Sequence, residues 1–436
     1  MTNRLFQAVA SISTNHWRPG KLARDTIVMS LGTGLRAVVQ AAVFLIIARI
    51  LGVEGYGAFV AVLSTASALS GLCGLGAHVL LVRDVARDPR SFPASWGLAV
   101  AALSSSIPIV FLLYLAISCA VLPQSIPFTV VLLLGASELI LWPLANVAVF
   151  AYQGHERMGR ASRMMLAPVV PRLGSALAFL LFAQWPLVEP LITWAALYTF
   201  AGFVAVWYVH HCVIRDIGKA VFPDRHQLLS YVQESVPFSF WAVAEKLYID
   251  ADKVMLARLA SLGTAGVYSA SYRLVDLTFL PLYALLNVAV PRFFRAGQNG
   301  VQTALNYALG ISLAPLAYAF AVGVFLYFAA PLLPELLGGD YADTVSVARW
   351  LAWLPLITLP RLFLQYALAT SDQQRTGALC IIMGAVVNIG LNITWIPGWG
   401  WRGAAAATYA AELLMSLVMF GAVLSSRPRP LLNCKE

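Results

Sequence analysis

Charge is what this chain has least of. Only 11% of its 436 residues are Asp, Glu, Lys or Arg, against 60% hydrophobic, whereas soluble domains carry roughly a quarter charged residues. A water-soluble fold with an ordinary polar surface is excluded. Long polar stretches are also missing; the longest are the N-terminal tail to about Asp25 and the loop from His210 to Gln227. Neither leaves room for a soluble catalytic or binding domain. No Gly-x-Ser-x-Gly, His-Glu-x-x-His or phosphate-loop pattern occurs. Asp250-Ala251-Asp252 has the form of a metal-binding Asp-x-Asp but falls within an apolar run, not at a soluble nucleotide-sugar site. The chain is therefore not expected to be an enzyme, nor to hold a metal or cofactor. The five cysteines are odd in number, scattered and without metal or redox spacing, and read as packing residues. The tail carries Arg4, Arg18, Lys21 and Arg24 without an apolar run and small-residue cleavage site after them, so it reads as a retained tail and not a signal peptide.

What the chain has in abundance is long apolar runs. They lie at about 26–48, 55–82, 94–120, 127–151, 161–183, 190–209, 228–257, 264–290, 302–330, 345–369, 376–396 and 403–425. A bilayer core of about 30 Å takes roughly twenty apolar residues per helix. The runs are continuous, without the alternation of a barrel strand. The expectation is an all-α membrane protein of about twelve transmembrane helices. Lys and Arg then choose its orientation. One side collects the N-terminal tail, Arg83, Arg87 and Arg90, Arg157, Arg160 and Arg163, Arg215, Lys219 and Arg225, Arg292 and Arg295, Arg375 and the C-terminal tail. The other side has Arg49, Arg258 and Arg402, with Glu54, Glu189, Glu335, Asp340 and Asp343. Both termini are expected in the cytoplasm. The net charge of +9 then reflects topology and not nucleic-acid binding.

The runs also repeat. Ala48-Arg49-Ile50-Leu51 through Gly55-Tyr56-Gly57 corresponds to Ala257-Arg258-Leu259 through Gly266-Val267-Tyr268. Arg49 and Arg258 are 209 positions apart, as are Arg83 and Arg292. Two six-helix lobes follow, over 26–215 and 228–425, with a linker at 216–227 and cytoplasmic tails at 1–25 and 426–436. An even number of helices per repeat puts both halves in the same orientation, with a pseudo-twofold axis along the membrane normal and a central cavity. Transporters recur in that architecture.

The residues that carry a family likeness are Ala48-Arg49-Ile50-Leu51-Gly52-Val53-Glu54-Gly55-Tyr56-Gly57, then Gly74-Leu75-Gly76 and Leu81-Val82-Arg83-Asp84. In the second half they are Asp252-Lys253-Val254-Met255-Leu256, Gly266 to Leu274, and Asn392-Ile393-Thr394-Trp395-Ile396-Pro397 leading into Gly403. In these motifs the chain resembles the polysaccharide-exporter branch, with its O-antigen-unit flippases, of the multidrug/oligosaccharidyl-lipid/polysaccharide exporter superfamily. The resemblance implies alternating access and an undecaprenyl-pyrophosphate-linked oligosaccharide carried to the periplasmic leaflet of a bacterial inner membrane. It also implies an H+ or Na+ gradient as driver, and polysaccharide polymerase or assembly proteins as partners. Lipid II flippases of the superfamily usually carry two further helices, which about twelve runs do not supply. The rival reading is a cation-coupled multidrug antiporter of the same superfamily.

Ionisable residues at bilayer depth are costly and mark pathways or internal pairs. Arg36, Arg172, Arg273 and Arg361 lie inside apolar runs, and Arg suits bidentate phosphate contact. The seventh run is the most polar. At 100° per residue Lys246, Asp250 and Lys253 share a face, while Glu245 and Asp252 share another. The substrate-binding candidates are Arg36, Arg172, Lys246, Lys253, Arg273 and Arg361. The cation-coupling candidates are Glu245, Asp250 and Asp252. Against these stands pairing of the arginines with Glu138, Asp276 or Glu412, and of Lys246 with Asp250. Gly32-Thr33-Gly34 is expected to let the first helix bend. Trp241, Tyr248, Tyr272, Tyr366, Asn146, Gln153, Asn388 and Asn392 are the residues fitted to meet sugars, or to anchor helices to one another.

Overall fold

Where water is absent, a helix satisfies its own backbone polar groups, and the apolar runs build helices throughout. The computed structural model describes residues 21–182, 189–371 and 373–425, and the regular elements among them are all helical. The long rods are α1 (21–51), α2 (53–87), α3 (Phe92–Val121), α4 (Phe128–Gly154), α5 (Met158–Leu181) and α6 (Pro190–Asp216). They continue with α7 (Arg225–Leu259), α8 (Leu262–Gln298), α9 (Val301–Ile311 with Leu313–Ala329), α10 (Thr344–Ala369), α11 (Gln374–Trp399) and α12 (Trp401–Ser425). Among the described residues eight helices are long and apolar enough to cross a membrane, or nine when the pair bent by 52° within α9 counts as one span. The first of these draws on both α1 and α2, and α7, the rod richest in charge, and α8 fall outside the group. Together they give an all-α fold of about twelve helices.

Breaks fall where glycine and proline interrupt the runs. Gly52, at φ +66°, divides α1 from α2. Within α2 the chain unwinds at Cys73–Gly76, where Gly74, Leu75 and Gly76 are all left-handed. The left-handed conformation costs Leu75 about 1–2 kcal/mol, and the Gly74 N–H freed by the unwinding donates to Ser106 Oγ at 2.8 Å. A turn of π-helix occupies Ser137–Leu141 of α4, and α5 is interrupted at Ala167 and Pro168. The backbone stays helical at Gly32–Gly34, and the non-helical residue of this stretch is Gly52. Gly32 serves close packing instead: a Cβ there would stand 1.9 Å from Ser162 Oγ on α5.

The two halves meet through α2 and α8 at the ends away from the termini. A Cβ on Gly57 would lie 1.9 Å from the Leu262 carbonyl oxygen, and one on Gly266 2.1 Å from that of Val53. Gly57 and Gly266 are 209 positions apart, and so are Val53 and Leu262. The contact is thus unchanged when the halves are exchanged, as a twofold-related contact must be. Tyr341 reinforces it by donating to the carbonyls of Ala48 (2.9 Å) and Gly52 (3.0 Å). Nearer the termini α2 lies against α7, where a Gly71 Cβ would be 2.9 Å from Val243 N and Arg83 pairs with Glu234. Cys73, Cys119, Cys212 and Cys380 are free thiols; Cys434 and Asp372 lie outside the described residues.

Candidate functional site: a charged cavity between the halves

The polar faces of α2 and α7, which lipid would not tolerate, enclose a cavity of about 380 Å³. From the first half it is lined by Gln40, Tyr56, Ser64, Ser67, Glu138, Trp142, Arg172 and Tyr198. The second half contributes Lys246, Asp250, Lys253, Ser269, Arg273 and Asp276. Lys246, Asp250 and Lys253 therefore all reach the cavity from one face of α7, as their spacing requires. A second recess of about 240 Å³ shares Trp142 and Lys246 and adds His78, Asn146 and Glu245. Glu245 and Lys246 are consecutive, so α7 presents opposite charges to adjoining spaces.

In the first half the charges form a caged pair. Arg172 Nη2 donates to Glu138 Oε1 at 3.0 Å, and the Tyr198 hydroxyl donates to the same oxygen at 2.6 Å. The Arg172 guanidinium lies 4.0 Å from the Tyr198 ring centroid and 4.8 Å from that of Trp142. Arg36 stands 5.1 Å from the same indole. Two arginines on one ring is an arrangement that an anion between them would relieve. The interruption at Pro168 and the π turn at Ser137–Leu141 are local features next to Arg172 and at Glu138 respectively.

In the second half α7 supplies the charges. Lys253 Nζ lies 3.3 Å from Asp250 Oδ1 and 3.6 Å from Asp252 Oδ1, and 4.7 Å from the Tyr272 ring centroid. Asp252 is 3% exposed and accepts from the Tyr268 hydroxyl at 2.9 Å. The partner of Asp250 is Lys253, three residues on, and not Lys246 as the alternative pairing had it. Arg273 and Asp276 line the cavity opposite, with Arg273 beside Tyr56 of the first half. Among the described residues, Arg36, Lys246 and Arg273 have no carboxylate within 4 Å.

Arg361 stands apart from this cavity. It donates through Nε to Glu412 Oε2 at 2.6 Å and through Nη1 to Gln365 Oε1 at 2.9 Å, while Tyr248 donates to Glu412 Oε1 at 2.6 Å. Both members of the pair are buried, at 9% and 3% exposure, which is the internal pairing weighed against cargo contact. Among the residues fitted to sugars, Asn146 lines the second recess. Asn388 and Asn392 bond each other at 2.9 Å, and Tyr366 packs on Phe293 at 5.8 Å. The Trp241 side chain lies outside the described residues. Sequence reasoning missed Gln40, Tyr56, Trp142 and Tyr198. Aromatic residues are so common in membrane helices that no pattern singles these out; only the fold brings them beside the arginines.

These helices and this enclosed charged cavity define a polytopic membrane transporter. Its fold is that of an inward-facing multidrug resistance MATE family transporter of the MOP superfamily, at TM-score 0.75 and 14% identity over 92% of this chain and 97% of that one. It is likewise that of the lipid II flippase MurJ in an inward closed conformation, at TM-score 0.70 and 15% identity over 92% and 88%. A MOP superfamily transporter from Pyrococcus furiosus aligns at TM-score 0.60 and 17% identity over 93% and 94%. Residues 22–296 match the polysaccharide biosynthesis protein family, and the chain belongs to that family. A probable low-salt glycan biosynthesis flippase, Agl15 of Haloferax volcanii, is 23% identical over 295 residues, which is 67% of this chain and 60% of that relative's length.

Proposed function

We propose that the chain moves an undecaprenyl-pyrophosphate-linked oligosaccharide from the cytoplasmic to the periplasmic leaflet of a bacterial inner membrane by alternating access, in the assembly of a surface polysaccharide. The observation that carries this reading is the set of cations that, among the described residues, have no carboxylate within 4 Å: Lys246 and Arg273 in the cavity, with Arg36 close by in the first half. A pyrophosphate supplies the missing negative charge, and guanidinium groups meet it with two parallel hydrogen bonds. A cationic drug would face repulsion from the same groups, which favours the glycan carrier over a multidrug antiporter. The names of two similar proteins, a glycan biosynthesis flippase and a lipid II flippase, support the same choice.

Roles follow from position. Lys246, Lys253 and Arg273 take the pyrophosphate from the 228–425 lobe, and Arg36 and Arg172 from the 26–215 lobe. Arg361 acts at a distance by holding α10 to α12 through Glu412. Asp250 and Glu245 border the cavity and its recess and are the carboxylates placed to take up H+ or Na+; Asp252 is committed to Tyr268 and the α7 backbone. The lysine and arginine bias places both termini in the cytoplasm, so the α2–α8 contact closes the periplasmic side. A polysaccharide polymerase or assembly proteins would receive the product.

The test is deletion of the gene and measurement of the leaflet in which lipid-linked oligosaccharide accumulates. Accumulation on the cytoplasmic face, relieved by the wild type but not by Lys246→Ala/Arg273→Ala, is the expected outcome. An unchanged pool would overturn the cargo assignment.

A further inference from the structure

Away from the central cavity, α9, α10 and α12 enclose a second concavity of about 710 Å³ at their ends farthest from the termini. Its composition is graded along the helix axes. At the open end Arg349 donates to the Tyr327 carbonyl at 3.3 Å and lies 5.0 Å from the Tyr327 ring. Arg402 lies 5.3 Å from the Trp401 ring. Neither arginine has a carboxylate within 4 Å among the described residues. Level with the arginines the indoles of Trp350 and Trp401 meet edge to face at 5.9 Å, and Trp353 follows one turn deeper. The inner end is apolar, closed by Ile357 and Leu413. At 1.5 Å per residue, Ile357 lies about 12 Å deeper than Arg349, and Leu413 about 16 Å deeper than Arg402. Trp350 and Leu413 are 47% and 50% exposed, so the concavity opens sideways to the bilayer.

We propose that this groove is a binding site for an anionic glycerophospholipid of the leaflet on the side away from the termini. The phosphate sits between Arg349 and Arg402, and an acyl chain descends past Trp353 to Ile357 and Leu413. Three features separate the groove from an ordinary aromatic belt, in which rings anchor singly at the interface. The indoles converge on one recess between three helices. Two guanidinium groups at its mouth have no carboxylate within 4 Å among the described residues, and basic pockets between membrane helices take lipid head groups. Cationic and aromatic groups at the mouth, with aliphatic ones deeper, match an amphiphile pointing into the bilayer. The inference does not depend on the identity of the transported cargo.

Native mass spectrometry of the full chain in detergent, titrated with phosphatidylglycerol and with phosphatidylcholine of the same acyl chains, tests the site. The wild type is expected to retain one phosphatidylglycerol in preference. Arg349→Gln/Arg402→Gln should weaken that retention roughly tenfold and remove the preference over phosphatidylcholine, while Arg349→Lys/Arg402→Lys keeps most of it. Arg375→Gln, on the opposite side, should change nothing. Ile357→Trp fills the inner end with both arginines intact and should also weaken retention, which covers the case in which the glutamine pair unfolds. Equal retention of the two lipids by the wild type, or undiminished phosphatidylglycerol in both the glutamine and tryptophan variants, would overturn the proposal.

Discussion

At the scale of single residues, the chain keeps its charges inside the membrane by giving most of them a partner. Glu138 answers Arg172 and Tyr198 together, so removing its charge strands a buried guanidinium. Glu138→Gln is expected to cost about 3 kcal/mol, read as a lower thermal midpoint in detergent. Arg172→Met/Glu138→Leu should be less destabilised than Glu138→Gln alone, because an apolar pair leaves no uncompensated charge. Outside the spans, His155 packs 5.3 Å from Phe92 with a buried Nε2 that finds no hydrogen-bond partner among the described residues. Burial, then the charge of Arg157, holds its pKa below the ordinary histidine value. The unfolded chain therefore takes the proton more readily, and stability falls as pH drops below about 6.5. His155→Phe should show a smaller loss of thermal midpoint between pH 7.5 and 5.5 than the wild type. The sequence made the arginines conspicuous because charge is rare in apolar runs. It left open which of them had partners, since Glu138 and Arg172 are 34 positions apart and only the packing of α4 against α5 and α6 joins them.

At the scale of elements, α7 was the most legible. Its 100° spacing alone places Lys246, Asp250 and Lys253 on one face, and all three line the cavity. The distortions of its neighbours were less so. Gly74-Leu75-Gly76 reads as a weak helix, yet the left-handed run there depends on Ser106 receiving a freed N–H and on α7 pressing against Gly76, where a Cβ would stand 2.4 Å from the Ser235 carbonyl oxygen. Gly32 and Gly34 look equally weak and stay helical, and α5 packs against Gly32. Glycine in a membrane helix thus marks either a break or a close approach, and the neighbouring helix decides which. The close approach at Gly57 and Gly266 gives a direct prediction. Gly57→Val should wedge α2 from α8 and open the end away from the termini. A cysteine at Ser67, which lines the cavity, should then react several-fold faster with an impermeant maleimide applied from that side than it does with Gly57 intact. An unchanged rate would mean that this contact does not seal the cavity.

At the scale of the whole molecule, the number of helices came from the long apolar runs, and the matching Gly57–Leu262 and Gly266–Val53 contacts from the 209-residue offset, both long-range regularities that a sequence displays openly. The cavity did not, because it is assembled from residues such as Gln40, Tyr198 and Asp276 that share no local pattern. What the assembled cavity offers is four cationic side chains beside three carboxylates, with Lys246 and Arg273 having no carboxylate within 4 Å among the described residues. That is the central claim, and it is tested most directly by reconstitution. Purified wild-type and Lys246→Ala/Arg273→Ala chains would be placed in vesicles with a fluorescent polyprenyl-pyrophosphate oligosaccharide, and leaflet exchange followed by chemical quenching from outside. Protein-dependent exchange by the wild type, reduced at least tenfold in the variant while a head group without pyrophosphate is not moved, is the predicted result. Equal exchange by both chains, or equal movement of the uncharged lipid, would contradict it.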